Sequence, residues 1–259
     1  MDYYSRPRRV LRAARQLLYP RRCPFCGQVL GSVPACPACA EELETLRRKP
    51  GIRLDASQHY LGQLSGAAAP YCYSGCVRRG ILRAKYQGMP WLAVEMGTQL
   101  ASLAFGSALQ MHLAEPIPQP VAGAALGYDL IVPVPSSGSS RGYNVPQLMA
   151  LPLAKALEIP LVPEALTRTR AKKHQAGLSF EERMVNVAGV FRARDPEQVE
   201  GRRVLLVDDV ITTGATAAAC AQALLHAGAE SVFAVAFATV EQSFLPDSTE
   251  PILENEEDF

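Results

Sequence analysis

The chain has almost no net charge. Across 259 residues, 26 lysines and arginines face 25 aspartates and glutamates, a formal balance of +1. That balance excludes a global pull toward nucleic acid or an anionic membrane. No apolar run approaches the roughly 20 residues that a membrane-spanning helix needs. The N-terminus is basic, but it lacks a continuous apolar core and a small-residue cleavage site, so it does not read as a secretory signal. Cysteine is sparse and odd in number, seven in all, and most sit in a metal-like pattern. A reducing, cytoplasmic compartment is the expectation.

What charge there is lies unevenly. The first 22 residues hold seven arginines and one acid, and the last 19 hold seven acids and no base. Residues 8–19 space Val10, Leu11, Ala14, Leu17 and Leu18 as on one side of a helix. The expected arrangement is a helix docked by one face with its arginines in water. Those arginines also suit nucleic acid or acidic lipid. The acidic segment 241–259 reads as a solvated, disordered tail. Apolar content of 48% and charged content of 20% suit an ordinary globular core. The length fits one sizeable domain with an appendage, or two small ones.

The appendage has its own chemistry. Residues 23–39 read CPFCGQVLGSVPACPAC. Cys23 with Cys26 and Cys36 with Cys39 form two Cys-x-x-Cys knuckles. Four thiolates suit tetrahedral zinc, and a closed sulfur shell leaves no open position, so the zinc would be structural. A redox pair and an iron–sulfur cluster are the alternatives. A segment this short buries too little core to fold alone, and metal would supply the missing energy. Cys72, Cys76 and Cys220 fit buried small hydrophobes, the first two in a strand-like alternation.

Residues 204–216, VLLVDDVITTGAT, carry the most function. An apolar strand delivers Asp208 and Asp209. A loop of Thr212, Thr213, Gly214, Ala215 and Thr216 follows, then an alanine-rich helix. A helix N-terminus with free N–H groups is an anion site, and glycine permits close backbone approach. Paired carboxylates accept hydrogen bonds from vicinal hydroxyls. Phosphate and diol side by side describe a ribose 5-phosphate. An ordinary strand-turn-helix with solvated acids is the alternative. The segment resembles the signature of type I phosphoribosyltransferases, which bind 5-phosphoribosyl 1-pyrophosphate (PRPP). The resemblance implies ribose-hydroxyl contacts for Asp208 and Asp209 and 5-phosphate contacts for Thr212, Thr213, Gly214, Ala215 and Thr216.

The rest of the chain alternates strands and helices. A helix is expected near 40–48, then a weakly patterned connector to residue 66. A short helix bears Val77, Ile81 and Leu82 and ends at Lys85-Tyr86-Gln87-Gly88. Residues 91–111 have helical period, 115–124 read as a proline-rich loop, and 129–135 as a strand. Residues 144–158 are helix-like, with Pro152 expected to kink or split them. Residues 161–166 suggest a short edge strand. Residues 168–178 are basic and aperiodic. Ser179 and Glu182 form a capping box. Strands follow in GVFRA, RRVLLVD and SVFAVAFAT. The pattern predicts an α/β fold with a doubly wound, mostly parallel sheet and a small N-terminal four-cysteine module. The expected division is 1–48, 67–240 and 241–259.

Taken in order, these segments resemble the ComF family of competence protein F-like phosphoribosyltransferases. The carrying residues are the four cysteines, Lys85 to Gly88, 129–136, Arg141-Gly142-Tyr143-Asn144, 168–175, Arg183 with Asn186, and the 204–216 loop. Val145-Pro146 departs from the family's more polar helix start. The resemblance implies that Lys85 and Gly88, with the backbone near Tyr86, meet pyrophosphate. A plain helix C-cap is the alternative. Arg168, Arg170, Lys172, Lys173 and His174 would form a basic hood closing over PRPP, or else a solvated loop. Arg141 and Asn144 would contact pyrophosphate or a second substrate. Magnesium would accompany PRPP.

The implied reaction displaces pyrophosphate from C1 of PRPP by a nucleophile that nothing in the chain identifies. Asp208 and Asp209 would hold the sugar, while Lys85, Arg168 and Lys172 neutralise the leaving group. Two other classes stand beside this enzyme. One is a PRPP-binding regulator without turnover. The other is a single-stranded DNA-binding competence factor working with a helicase-like partner. Near-zero net charge and few aromatics among the basic residues disfavour the latter. Homodimerisation is common in such folds.

Overall fold

The computed structural model describes residues 3–16, 18–49, 51–121, 126–136, 142–169 and 189–240. Its centre is the strand β8 (Arg203–Ile211). Successive strand residues face opposite ways, so Val204 and Leu206 point to one side and Leu205 and Val207 to the other. All four are fully buried. Both faces of the sheet must therefore be covered, as in parallel α/β sheets. β9 (Ser231–Thr239) runs parallel to β8, from Arg203 opposite Ser231 to Ile211 opposite Thr239. β5 (Leu130–Pro133) pairs with β8 on its other side. β1 (Gly66–Ala68) and the two-residue β2 (Tyr71–Cys72) both lie along β9. The order β1-β9-β8-β5 is parallel throughout.

Three helices cover one face. α3 (Gly75–Tyr86), α4 (Trp91–Phe105) and α5 (Val145–Leu157) pack on Leu205, Val207, Val235 and Phe237. α6 (Ala215–His226) covers the other face over Val204, Leu206, Val232 and Ala234. The small antiparallel pair of β6 (Leu166–Arg168) and β7 (Phe191–Ala193) joins it there. The sheet is doubly wound, as the alternation of strands and helices predicts.

The four-cysteine segment is part of the same core. Cys23, Phe25, Cys36 and Cys39 join the cluster beneath α3, and the Phe25 ring stacks on Phe237 at 6.1 Å. A Cβ at Gly80 would meet Phe25 at 2.9 Å and the Pro24 carbonyl at 3.1 Å, so glycine lets the module lie flat on α3. α2 (Ala40–Leu46) places Glu42 at the N-terminus of α3, where its carboxylate accepts the Cys76 amide at 2.8 Å. A carboxylate there also complements the helix dipole.

Several elements differ from expectation. The helical period over 91–111 breaks at Gly106, which is left-handed. Beyond it, β3 (Leu109–His112) pairs antiparallel with β4 (Glu115–Pro118), where the prolines suggest a loop. An isolated two-stranded ribbon tolerates proline because its outer edges need no ladder donor. Pro152 does not split α5, which continues through it to Leu157. Burial of Met149, Leu153 and Ala156 on the packed side offsets the lost hydrogen bond. Pro163 starts a 3₁₀ turn (Pro163–Ala165), so the strand expected at 161–166 begins only at Leu166. Cys76 lies in the first turn of α3, not in a strand.

α1 (Arg6–Gln16) departs most. Its apolar side does not dock. Val10 and Leu11 are each 61% exposed. Instead Arg12 grips Glu115 with Nε at 2.7 Å and Nη2 at 2.9 Å, and its guanidinium lies 4.0 Å from the Tyr3 ring centre. The surface beneath offers the Glu115 carboxylate to the polar side, and the bidentate Arg12 contact fixes that side inward. The capping box, the basic segment beyond Thr169 and the acidic tail lie outside the described residues.

Candidate functional site

β8 runs out of the core carrying Asp208 and Asp209, both buried. The Asp209 amide donates to Asp208 Oδ1 at 2.8 Å. Two carboxylates at a buried strand end repel and are poorly solvated. Burial pushes Asp208 up to about 7, and the charge of Asp209 adds to the rise. The Lys85 ammonium and the Asp209 amide oppose it only in part. Lys85 Nζ sits 2.9 Å from Asp209 Oδ1. Burial works to lower the Lys85 pKa, but the charge and hydrogen bond of Asp209 outweigh it, and the net shift is upward. The ammonium is therefore held charged between two acids.

The C-terminal end of α3 is fixed by long-range contacts. The Tyr143 hydroxyl donates to the Ala84 carbonyl at 2.8 Å. The cysteine module buttresses the same helix through Phe25 at Gly80. Gly88 follows in the left-handed region with φ 64° and nothing near its α-carbon side. Expectation set Lys85 against pyrophosphate. In this structure the side chain lies on the buried Asp209 carboxylate.

After β8 the chain turns through Thr212 and Thr213 into Gly214, whose φ of 88° caps α6. Thr212 and Thr216 are exposed, and Thr213 and Ala215 are half-buried. The loop thus leaves the Thr212 and Thr216 side chains open to solvent. Thr213 Oγ1 accepts the Ala215 amide at 3.4 Å. Gly214, expected at the 5-phosphate, also makes a close approach to protein. A Cβ there would collide with the Tyr60 carbonyl, and the Tyr60 amide donates to the Thr213 carbonyl at 2.8 Å.

The connector before β1 is therefore a strap across the loop, which sequence reasoning missed. His59 anchors it, fully buried. Its Nε2 lies 2.9 Å from Thr239 Oγ1 and 3.2 Å from the Val240 carbonyl. Thr239 Oγ1 donates to the Ile211 carbonyl at 2.8 Å, so His59 Nε2 must be the donor to Thr239. The strap is held by His59 on Thr239 and by Tyr60 on Thr213 and Gly214, pairs remote in sequence that carry no motif.

Arg168 ends β6, exposed, with its guanidinium 5.7 Å from the Phe191 ring centre. Asn144 donates to the Val134 carbonyl at 3.0 Å, and its buried Oδ1 has no hydrogen-bond partner among the described residues. Arg141, Arg170, Lys172, Lys173, His174, Arg183 and Asn186 lie outside the described residues. The structure thus brings Lys85 and the twin acids together and sets the Thr-Thr-Gly-Ala-Thr loop beside them.

These features match a known domain. Residues 122–256, more than half of the chain, match the phosphoribosyl transferase domain. The chain belongs to that family. It is 45% identical over 92 residues to the DNA utilization protein YhgH of Escherichia coli (strain K12), covering 36% of this chain and 40% of that protein. It is 36% identical over 141 residues to the YhgH protein of Salmonella typhi, covering 53% and 58%. Competence protein F of Haemophilus influenzae is 28% identical over 223 residues, covering 81% and 86%. The matches to the two YhgH proteins thus span 40% and 58% of those proteins' lengths.

The four cysteines form a separate centre. Their sulfurs lie within 4.8 Å of one another, with Cys23 to Cys39 at 3.8 Å and Cys26 to Cys36 at 3.7 Å. Sulfurs at about 2.3 Å from a tetrahedral zinc stand about 3.8 Å apart. The cluster fits that ion, with Cys23, Cys36 and Cys39 buried and Cys26 exposed. Among the described residues no helix is long and apolar enough to cross a membrane.

Proposed function

We propose that this protein binds PRPP at the end of β8 and transfers its phosphoribosyl group to a nucleophile, releasing pyrophosphate. The observation that carries this reading is the Lys85–Asp209 contact at 2.9 Å beside the Gly214 loop. It brings the two motif segments together at the end of β8, where acids would suit a diol, a cation the leaving group and loop amides a phosphate. Asp208 and Asp209 would hold the ribose hydroxyls. Thr212, Thr213, Gly214, Ala215 and Thr216 would surround the 5-phosphate. On binding, Lys85 would exchange Asp209 for pyrophosphate oxygens, with Gly88 leaving the backbone open to them. Arg168, Arg141 and Lys172 complete the cationic set in this proposal.

Hard carboxylate and ligand oxygens suit magnesium, which would neutralise charge on the pyrophosphate when bound. The protein's own share is positioning and electrostatic stabilisation of the departing group. Zinc, held by Cys23, Cys26, Cys36 and Cys39, would brace α3 and hence Lys85. The names of the relatives, DNA utilization protein and competence protein F, support a role in DNA uptake or use. Isothermal calorimetry with PRPP and magnesium tests the site. Absence of binding, or undiminished binding in Asp208→Ala/Asp209→Ala, overturns the reading. A screen of acceptors read by pyrophosphate release separates an enzyme from a PRPP-binding regulator.

A further inference from the structure

α1 is an inside-out amphipathic helix. At 3.6 residues per turn, Pro7, Val10, Leu11 and Ala14 share one side, and all four are exposed. Val10 and Leu11 are 61% exposed, and Leu18 and Tyr19 just beyond the helix are 80% and 76% exposed. Arg6 borders this stripe on one side and Arg15 on the other, both exposed. The opposite side, with Arg9, Arg12, Ala13 and Gln16, faces the body. Arg12 and Gln16 converge there on Glu115. A cavity of about 430 Å³ lies beneath, lined in part by Tyr3, Arg12, Glu95 and Trp91 and, at its rim, by Leu18 and Tyr19. The body thus holds the helix by its polar side and turns its apolar side out.

A surface helix ordinarily buries its apolar side. We propose that α1 docks the protein on an anionic lipid surface, with Val10, Leu11 and Ala14 entering the acyl boundary and Arg6 and Arg15 lying among the headgroups. Two features select lipid over other polyanions. Phosphate on a nucleic acid gains nothing from a Val-Leu-Ala stripe, whereas a bilayer rewards it. Arginines on both borders suit a plane of headgroups straddled by the helix. A second copy of the chain is disfavoured, because two such arginine borders would meet like charge.

The test uses the full-length protein and cosedimentation with vesicles of phosphatidylglycerol mixed with phosphatidylcholine, against phosphatidylcholine alone. Binding is expected to the anionic vesicles only and to weaken with salt. Val10→Ser/Leu11→Ser should weaken it more than tenfold, since each apolar side chain gains most of its transfer energy on insertion. Arg6→Gln and Arg15→Gln should each weaken it about fivefold. All four side chains are exposed, so circular dichroism and the unfolding midpoint should not move. The proposal fails if anionic vesicles do not bind or if Val10→Ser/Leu11→Ser binds them as the wild type does. It fails equally if the stripe instead mediates a dimer lost in Val10→Ser/Leu11→Ser. Binding of a single-stranded oligonucleotide through Arg6 and Arg15, without vesicle binding, would reassign the helix to nucleic acid.

Discussion

Asp208 should cost the fold stability at neutral pH, and replacing it should return that stability. Its carboxyl is pushed from the ordinary 3.8 to about 7, chiefly by burial. One pKa unit corresponds to ~1.4 kcal/mol, so the ceiling on the effect is about 4 kcal/mol. The sign follows from proton counting. Between the unfolded and folded pKa values the native state holds a proton that the unfolded chain has released. Stability is therefore full below the unfolded value, falls as pH rises toward 7, and stays reduced above it. Asp208→Asn has the same shape, keeps an oxygen for the Asp209 amide and carries no charge to desolvate. Urea unfolding from about pH 4 to pH 8 should give wild-type and variant curves that nearly meet at the acid end. They should then diverge until the variant is roughly 2–4 kcal/mol more stable near pH 8. Glu95, also raised to about 7 by burial, titrates in both proteins and cancels in the difference. Parallel curves, or a variant less stable at pH 8, would refute the reasoning. Under the proposed function the same variant should lose PRPP affinity, the trade expected where a site keeps an unfavourable charge for use.

Other perturbations read different parts of the molecule. Arg21→Ala strands Glu95, whose carboxylate lies 2.7 Å from Arg21 Nε. It should cost roughly 3–5 kcal/mol near pH 8 and less near pH 5, where Glu95 protonates, measured by urea midpoints at both values. Gly214→Ala meets both a left-handed φ and the Tyr60 carbonyl, so it should destabilise by more than about 1 kcal/mol and loosen the strap, seen as faster amide exchange at Tyr60. Native mass spectrometry should find a zinc ion that Cys36→Ser weakens. Hydrogen exchange should then show α3 opening first, because the module packs on Gly80.

What could be read in advance divides along locality. The stretch from Val204 to Thr216 states its strand, turn and helix within a dozen neighbours, and the four cysteines state a metal by spacing alone. Their geometry agrees with that reading because nothing distant is needed to produce it. The Lys85–Asp209 contact is different. A glycine-terminated helix announces Lys85 but not where its side chain goes, and that depends on a buried acid brought up by another strand. The strap is less visible still, since His59 and Tyr60 act through a ring nitrogen and backbone groups on Thr239 and Thr213, and backbone partners leave no trace in residue type. α1 shows the limit most clearly. Helical periodicity separates two sides but does not say which side is inward. That choice belongs to the surface beneath, here Glu115 and Tyr3. A helix whose polar side finds a bidentate carboxylate can turn that side inward and leave its apolar side out. An inverted helix keeps its apolar stripe for something outside the chain, which is why the element least predictable from its own residues is also the one that points to a partner.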